Sequence, residues 1–269
     1  MTDHGAHFAG VSGVLAPVLV LLVYLRLARR ARRRNPVLGW SGWRTASFAA
    51  GLVLVAAALL PPVASLAHAD FRGHMVQHML IGMYAPIGLV LGAPVTLLLR
   101  TLPVAGARRL TAVVHSGPGR LAAHPATALL LSAGSLVVLY FTPLYDAAAA
   151  HPAGHWLLHA HFLLSGCLFA HVIAGPDPAP ARPGVRARLV YLGCAIAVHA
   201  IVAQLMYGGF RLDVRAPVAE VRGGAEIMYY GGDIAELLLA AALVTTWRPE
   251  RRDRPERRGR PAARVAGRP

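Results

Sequence analysis

This chain has 269 residues, of which 56% are hydrophobic and only 14% are charged, and its mean hydropathy is +0.51. Soluble globular proteins and disordered proteins do not have this balance, so the composition excludes both classes. It predicts a protein whose apolar helices are embedded in lipid. A helix needs roughly 20 apolar residues to cross a hydrocarbon layer of ~30 Å, so the length accommodates seven spans with short loops and no second domain.

Seven apolar runs follow one another along the chain. They cover residues 11–28, 46–66, 75–99, 126–145, 155–174, 189–207 and 226–247. The first run differs from a signal peptide, because its arginine cluster follows the apolar stretch instead of preceding it. Pro86 and Pro94 interrupt the third run and predict a kinked helix. We therefore predict an all-α integral membrane domain of seven transmembrane helices over residues 1–247 and a basic, disordered tail over residues 248–269.

Arginine marks the two sides of the predicted domain. All 27 basic residues are arginines, and with seven spans 23 of them lie on one side, which leaves four on the other side: Arg72, Arg211, Arg215 and Arg222. Because cytoplasmic loops carry the excess of arginine, we predict that the N-terminus is outside and that the C-terminus is cytoplasmic. The positive charge therefore reflects membrane topology and the lipid bilayer, and we expect no nucleic-acid partner.

Histidine is concentrated on the predicted outer face. Of 13 histidines, eight lie there: His4, His7, His68, His74, His78, His151, His155 and His159. The third span opens with two histidines at i,i+4 and two methionines at the same spacing one residue later, and the fifth span opens with a second histidine pair. Each pair shares one helix face. We predict a single outer metal site formed by His74, His78, His155, His159, Met75 and Met79.

The residue types of this predicted site favour copper. Imidazole nitrogen suits Cu(II), zinc and iron, whereas thioether sulfur selects Cu(I), so a mixed set favours copper over zinc. The alternative is that the histidines are polar residues of the membrane interface and that the methionines fill gaps between helices. Cys167 and Cys194 form no C-x-x-C pair and are expected to be packing residues.

Four ionisable residues are predicted deeper in the membrane: His161, His199, Asp233 and Glu236. His199 and Asp233 lie at similar depth in the sixth and seventh spans, about 10–12 Å from the outer surface at ~1.5 Å per residue. We expect both side chains to point into the bundle near each other, where a carboxylate orients a ligating histidine or accepts its proton. The alternative is a structural polar contact between two spans.

Three stretches of the chain carry a family resemblance. They are HMVQHMLIGMYAPIGLVLGAPVTLLLR from His74, TPLYDAAAAHPAGHWLLHAHFLLSG from Thr142, and GPDPAPAR from Gly175. Over residues 40–250 the chain resembles the multi-spanning CtaG-like cytochrome c oxidase assembly proteins. The resemblance implies a multi-pass protein of the bacterial plasma membrane that assists maturation of the respiratory haem–copper oxidase, at the stage of copper insertion.

The resemblance also implies ligands and partners. His74, His78, His155 and His159 stand at the recurrent histidine positions of the family, whereas the methionines enter only through the argument from residue type. The expected partners are subunits of a haem–copper oxidase and an extracytoplasmic copper chaperone. No Ser-His-Asp arrangement, nucleotide fingerprint or H-E-x-x-H motif is visible in the sequence, so we expect no enzymatic activity.

Two other functions fit part of the histidine pattern. A haem b electron-transfer protein would ligate iron with facing histidines such as His78 and His159 and would show a Soret band. A copper permease would need ligands that continue to the inner face, where His171 and Cys194 are the scattered candidates.

The arginine distribution yields a topology prediction. Residues 67–74 should face outward and the tail should be cytoplasmic, so in intact cells a cysteine at position 69 should react with an impermeant thiol reagent. A cysteine at position 262 should react only after lysis. The variants are Ala69→Cys and Ala262→Cys, and the reverse labelling pattern would mean that the topology is inverted.

Overall fold

The computed structural model describes residues 3–180 and 182–246, with side chains from residue 14 onward. Every regular element in this part of the chain is helical. The predicted tail lies outside the described residues, as do the side chains of His4 and His7.

Fourteen α-helices and two π-helical turns make up the described part. They are α1 (Asp3–Arg34), α2 (Gly42–Leu59), α3 (Val63–Ala69), α4 (Phe71–Met79), π1 (Leu80–Tyr84), α5 (Ala85–Leu91), α6 (Pro94–Thr101), α7 (Val104–Val114), α8 (Gly117–Ala122), α9 (Pro125–Leu129), π2 (Leu130–Gly134), α10 (Ser135–Tyr140), α11 (Leu144–Ala149), α12 (Pro152–Ala174), α13 (Val185–Gly208) and α14 (Val218–Thr246).

Five of the predicted spans correspond to helices that are long and apolar enough to cross a membrane. In the part of the chain that the structure describes these are α2, the run from α4 to α6, α12, α13 and α14. The apolar run Pro125–Tyr140 is shorter, and the first predicted span lies in α1, whose side chains are described only in part. The protein is therefore a multi-pass helical protein, while the count of seven and the orientation of the termini stay predictions.

The third span, from α4 to α6, is broken where the prolines predict it. Pro86 has no N–H, and in a regular helix its ring would clash with the carbonyl of Gly82. The wider π1 turn immediately before Pro86 accommodates this ring. A second break occurs at Ala93, whose φ of 53° is left-handed, directly before Pro94. The predicted kink is thus divided into two distinct breaks.

Small residues bring the neighbouring helices close to the third span. A Cβ on Gly88 would lie 2.9 Å from the Cα of Gly51 on α2, and the Ser47 hydroxyl donates to the Gly88 carbonyl at 2.9 Å. On the other side, Gly166 of α12 packs directly on the backbone of Gly82. Such close approach is how membrane helices gain packing energy, and it makes the third span the centre of the bundle.

Asp177 ties the end of α12 to the start of α6. Its carboxylate is buried and accepts hydrogen bonds from the backbone N–H groups of Val95 (3.0 Å) and Thr96 (2.7 Å) and from the Thr96 hydroxyl (2.5 Å). These are first-turn donors of α6 that no helical carbonyl can satisfy. Arg182 donates to the Asp177 carbonyl at 2.6 Å, so the loop after α12 is itself held in place.

We predict that Asp177→Ala destabilises the protein, because it leaves two buried backbone N–H groups without acceptors. The expected loss is about 1–3 kcal/mol of unfolding free energy, seen as a lower melting temperature in detergent. Asp177→Asn should lose less, since its amide oxygen still accepts. Asp213→Ala is the matched control, because Asp213 is exposed. Equal melting of the Asp177 and Asp213 variants would contradict the capping role.

Candidate functional site

Three histidines lie together at the predicted outer end of the bundle. His155 and His159 occupy the first turns of α12, with ring centroids 6.0 Å apart. His68 on α3 stacks on His155 at 4.8 Å. We call His68, His155 and His159 the outer histidine group. His68 lay on the predicted outer face but outside the predicted site, so the structure adds a residue that helical spacing alone did not select.

Gln77 fixes the protonation of His159. The Gln77 Nε2 donates to the Ala58 carbonyl at 2.8 Å, which leaves its Oε1 facing His159 Nε2 at 2.9 Å. Because the carbonyl of Ala58 can only accept, the amide orientation is determined, and His159 Nε2–H must be the donor. The lone pair of His159 is therefore on Nδ1. Gln77 is 2% exposed, so this arrangement is shielded from water.

The other two members of the group also keep a nitrogen free of hydrogen bonds to protein. His68 Nδ1 lies 2.6 Å from the carbonyl of Ala64, so Nδ1–H donates and the lone pair is on Nε2. His155 Nδ1 is buried and has no hydrogen-bond partner among the described residues. Metal-binding histidines characteristically donate one ring N–H to a protein oxygen and present the other nitrogen. The group has this arrangement at two of its three rings.

The corner between α3 and α4 positions His68. Asp70 caps α4, accepting from the Arg72 N–H at 2.7 Å, and its carboxylate also pairs with the Arg72 guanidinium. This guanidinium holds the pKa of the Asp70 carboxyl below its usual value, so the cap stays ionised at neutral pH. Gly73 packs directly on the backbone of Leu66, which closes the corner and directs α3 toward α12.

His74 and Met75 lie in an aromatic pocket. His74 Nε2 is 3.2 Å from the Tyr140 hydroxyl, and its ring centroid is 4.7 Å from that of Tyr145. The same Tyr140 hydroxyl lies 4.0 Å from the Met75 sulfur. Met79, one turn further along, packs toward Gly231 on α14, where a Cβ would be 3.2 Å from its sulfur. Met75 therefore lies at Tyr140, and Met79 lies against α14.

His78 is separated from the outer histidine group. It is buried against Phe162, with ring centroids 4.2 Å apart, and neither ring nitrogen has a hydrogen-bond partner among the described residues. It lines a cavity of about 50 Å³ between the third span, π2, α12, α13 and α14. We call this the inner cavity. Its polar and sulfur-bearing lining consists of His78, Met83, Ser132, Ser165, His199 and Glu236.

The carboxylate paired with His199 is that of Glu236, and the approach of Asp233 to His199 stays a prediction. His199 Nδ1 lies 3.8 Å from Glu236 Oε1, and both side chains are buried, whereas Asp233 is only partly buried. The reason is Gly232, since the His199 ring occupies the space that a Cβ there would need. Because Glu236 lies four residues after Gly232 on the same face of α14, the His199 ring that packs on Gly232 is next to Glu236.

Both π-helical turns contribute to the inner cavity. Gly82 and Met83 come from π1, and Ser132 and Ala133 come from π2. A π-helical turn replaces the regular i→i−4 backbone hydrogen bonds of an α-helix, and such turns occur frequently at functional sites. Pro86 was a signal for π1, but no proline or charge in the sequence marks π2.

The six residues predicted as one metal site thus occupy four places: the outer histidine group (His155 and His159), the Tyr140 pocket (His74 and Met75), the inner cavity (His78) and the contact with Gly231 on α14 (Met79). Within residues 14–180 and 182–246, no three His, Cys, Asp or Glu side chains stand close enough together to hold a metal ion as they are placed. Metal binding by these residues therefore stays a prediction.

Comparisons with known proteins identify relatives. A family model described as cytochrome c oxidase caa3 assembly factor (Caa3_CtaG) matches residues 22–250. The chain is 31% identical over 265 residues to "Uncharacterized protein Mb0105" of Mycobacterium bovis, covering 91% of this chain and 40% of the relative. It is 30% identical over 259 residues to "Uncharacterized protein ML1998" of Mycobacterium leprae, covering 89% and 39%. The chain thus spans about two fifths of the length of these curated relatives. No solved structure matches.

The geometry around Gln77 leads to a stability prediction. Gln77→Leu should destabilise the protein by about 1–3 kcal/mol, because the Ala58 carbonyl and His159 Nε2 lose their buried partner. Thermal unfolding in detergent measures this loss. Gln204→Leu is the control, because Gln204 is an exposed glutamine of α13. If the two variants unfold at the same temperature, Gln77 does not hold His159.

Proposed function

This chain belongs to the cytochrome c oxidase caa3 assembly factor family, and we propose that it serves oxidase assembly by holding copper at the outer histidine group and passing it to an oxidase subunit. Copper is cargo in this proposal, and no chemical turnover is required. An extracytoplasmic copper chaperone is the proposed donor. The activity of the longer relatives as whole proteins is not assumed, because this chain covers only two fifths of them.

The adjacency of His155 and His159 carries the proposal. Two imidazoles bound to one ion at ~2.0–2.1 Å have ring centroids roughly 5–6.5 Å apart. The observed 6.0 Å falls in this range. His68 must turn out of its stack on His155 to present Nε2, and its exposed position leaves it room to do so. Gln77 holds the second nitrogen of His159, which leaves Nδ1 of that ring for the ion.

The exposure of the group suits a cargo that has to leave. His68 is exposed, and His155 and His159 are half-buried, so a bound ion would remain accessible to a partner's ligands. The affinity of a given site for divalent first-row metal ions rises along the series to Cu(II), so imidazole ligands favour copper. Two or three imidazoles with an open coordination position would therefore bind copper and still permit ligand exchange.

The haem alternative has less support. His78, one of its two candidate axial ligands, faces a cavity of about 50 Å³, whereas pockets for ligands of drug or cofactor size typically measure ~300–1,000 Å³. The second candidate, His159, has its Nε2 bonded to Gln77. The observations favour a bound ion over a macrocycle.

The test is copper content together with oxidase activity. Protein carrying His155→Ala and His159→Ala should lose copper relative to wild type after loading and desalting, and oxidase activity should fall in a deletion strain that expresses it. His151→Ala is the matched control, because His151 is an exposed outer histidine outside the group. Equal copper and equal oxidase activity in wild type and double variant would mean that these histidines are interfacial residues.

A further inference from the structure

We infer that the inner cavity is a second copper site, in which His78 and His199 supply imidazole nitrogens and Glu236 supplies a carboxylate that is both ligand and counter-charge. It lies deeper in the bundle than the outer histidine group and is formed by different residues. The inference rests on the proposed function only in taking copper as the ion that reaches the protein.

Unpartnered polar atoms are the first observation. His78 Nδ1 and Nε2, His199 Nε2 and Glu236 Oε2 are all buried without a hydrogen-bond partner among the described residues. The three residues are 5%, 4% and 5% exposed. Buried polar groups are almost always satisfied, and a set of exceptions around one space indicates a ligand that the protein itself does not supply. All three side chains line the same inner cavity.

The backbone is shaped to admit the two rings. A Cβ on Gly82 would lie 3.3 Å from the His78 ring, and a Cβ on Gly232 would overlap the ring of His199. The absence of a side chain at these two positions is therefore what lets both imidazoles reach the cavity. The π1 and π2 turns border the same cavity. Two irregular backbone segments and two glycines therefore shape the inner cavity.

The size of the cavity restricts its occupant. About 50 Å³ holds an ion with one or two waters, and it is far too small for an organic cofactor. Binding would require the side chains to move closer together, since His199 Nδ1 and Glu236 Oε1 are 3.8 Å apart. No hydrogen bond to a described residue restrains the His78 ring, so it can turn toward an ion.

The donor set selects the kind of ion. Calcium and magnesium prefer shells made of oxygen, whereas two imidazoles with a carboxylate suit copper or zinc, and the thioether of Met83 in the cavity wall favours Cu(I). Charge favours the same ion. A single carboxylate balances one positive charge, and uncompensated charge inside a membrane bundle is costly. Cu(I) therefore satisfies both the ligand types and the electrostatics.

The experiment counts Cu(I) bound by detergent-purified protein under anaerobic conditions. Four proteins are compared: wild type, the outer variant (His155→Ala with His159→Ala), the cavity variant (His199→Gln with Glu236→Gln) and a matched control (His161→Gln with Glu226→Gln). The control replaces the same residue types outside the cavity, since His161 bonds to Ser135 and Glu226 is exposed. The expected counts are two ions for wild type and control, and one for each of the other two.

The outcomes separate this inference from the proposed function. If wild type binds one ion that only the outer variant loses, the cavity site is wrong and the outer group stands. If it binds one ion that only the cavity variant loses, the cavity site stands and the outer group is wrong. Glu236→Gln alone is isosteric and removes only the charge, so it tests the cavity site even if the double variant fails to fold. It should weaken Cu(I) affinity about tenfold or more, and unchanged affinity in this variant would overturn the inference.

Discussion

The missing backbone N–H of Pro86 is the constraint around which the bundle is arranged. Inside a membrane every backbone polar group needs a partner within the protein, so a proline in the middle of a span forces a local solution. Here the solution is the π1 turn, which presents Met83 to the inner cavity and leaves the Gly82 backbone for Gly166 of α12 to pack against. The break that one residue imposes thus opens the cavity and also brings two helices together.

Polar side chains are treated differently at two depths of the bundle. In the outer histidine group, the Gln77 Oε1 and the Ala64 carbonyl each accept a hydrogen bond from a ring N–H, which orients the lone pair of that ring. In the inner cavity, His78 has no hydrogen-bond partner among the described residues and the contact of His199 with Glu236 is long. In the first arrangement two of the three rings keep a hydrogen bond to the protein, and only His155 Nδ1 is buried without a partner among the described residues. In the second arrangement both nitrogens of His78, Nε2 of His199 and Oε2 of Glu236 are buried without a partner among the described residues, which is a cost that a bound ion would remove.

Helical periodicity predicted a contact within one helix, but it did not predict the contacts between helices. The i,i+4 spacing correctly placed His155 and His159 together, because that contact is internal to α12. His68 joins them through the tight corner at Gly73, and the contact of His199 with Glu236 depends on the missing side chain at Gly232. Both are consequences of glycines that let one element rest on another. Prolines could be read as breaks in the third span, whereas π2 has no such marker in the sequence.

The region matched by the family model includes both polar centres of the bundle. The matched residues 22–250 contain both the outer histidine group and the inner cavity, although this chain covers only two fifths of the length of the curated relatives. Whatever the longer proteins add, the two polar centres belong to the part that they share with this chain. Phe162 links the Tyr140 pocket to the inner cavity, because its ring lies against His78 and its centroid is also 6.4 Å from that of His74.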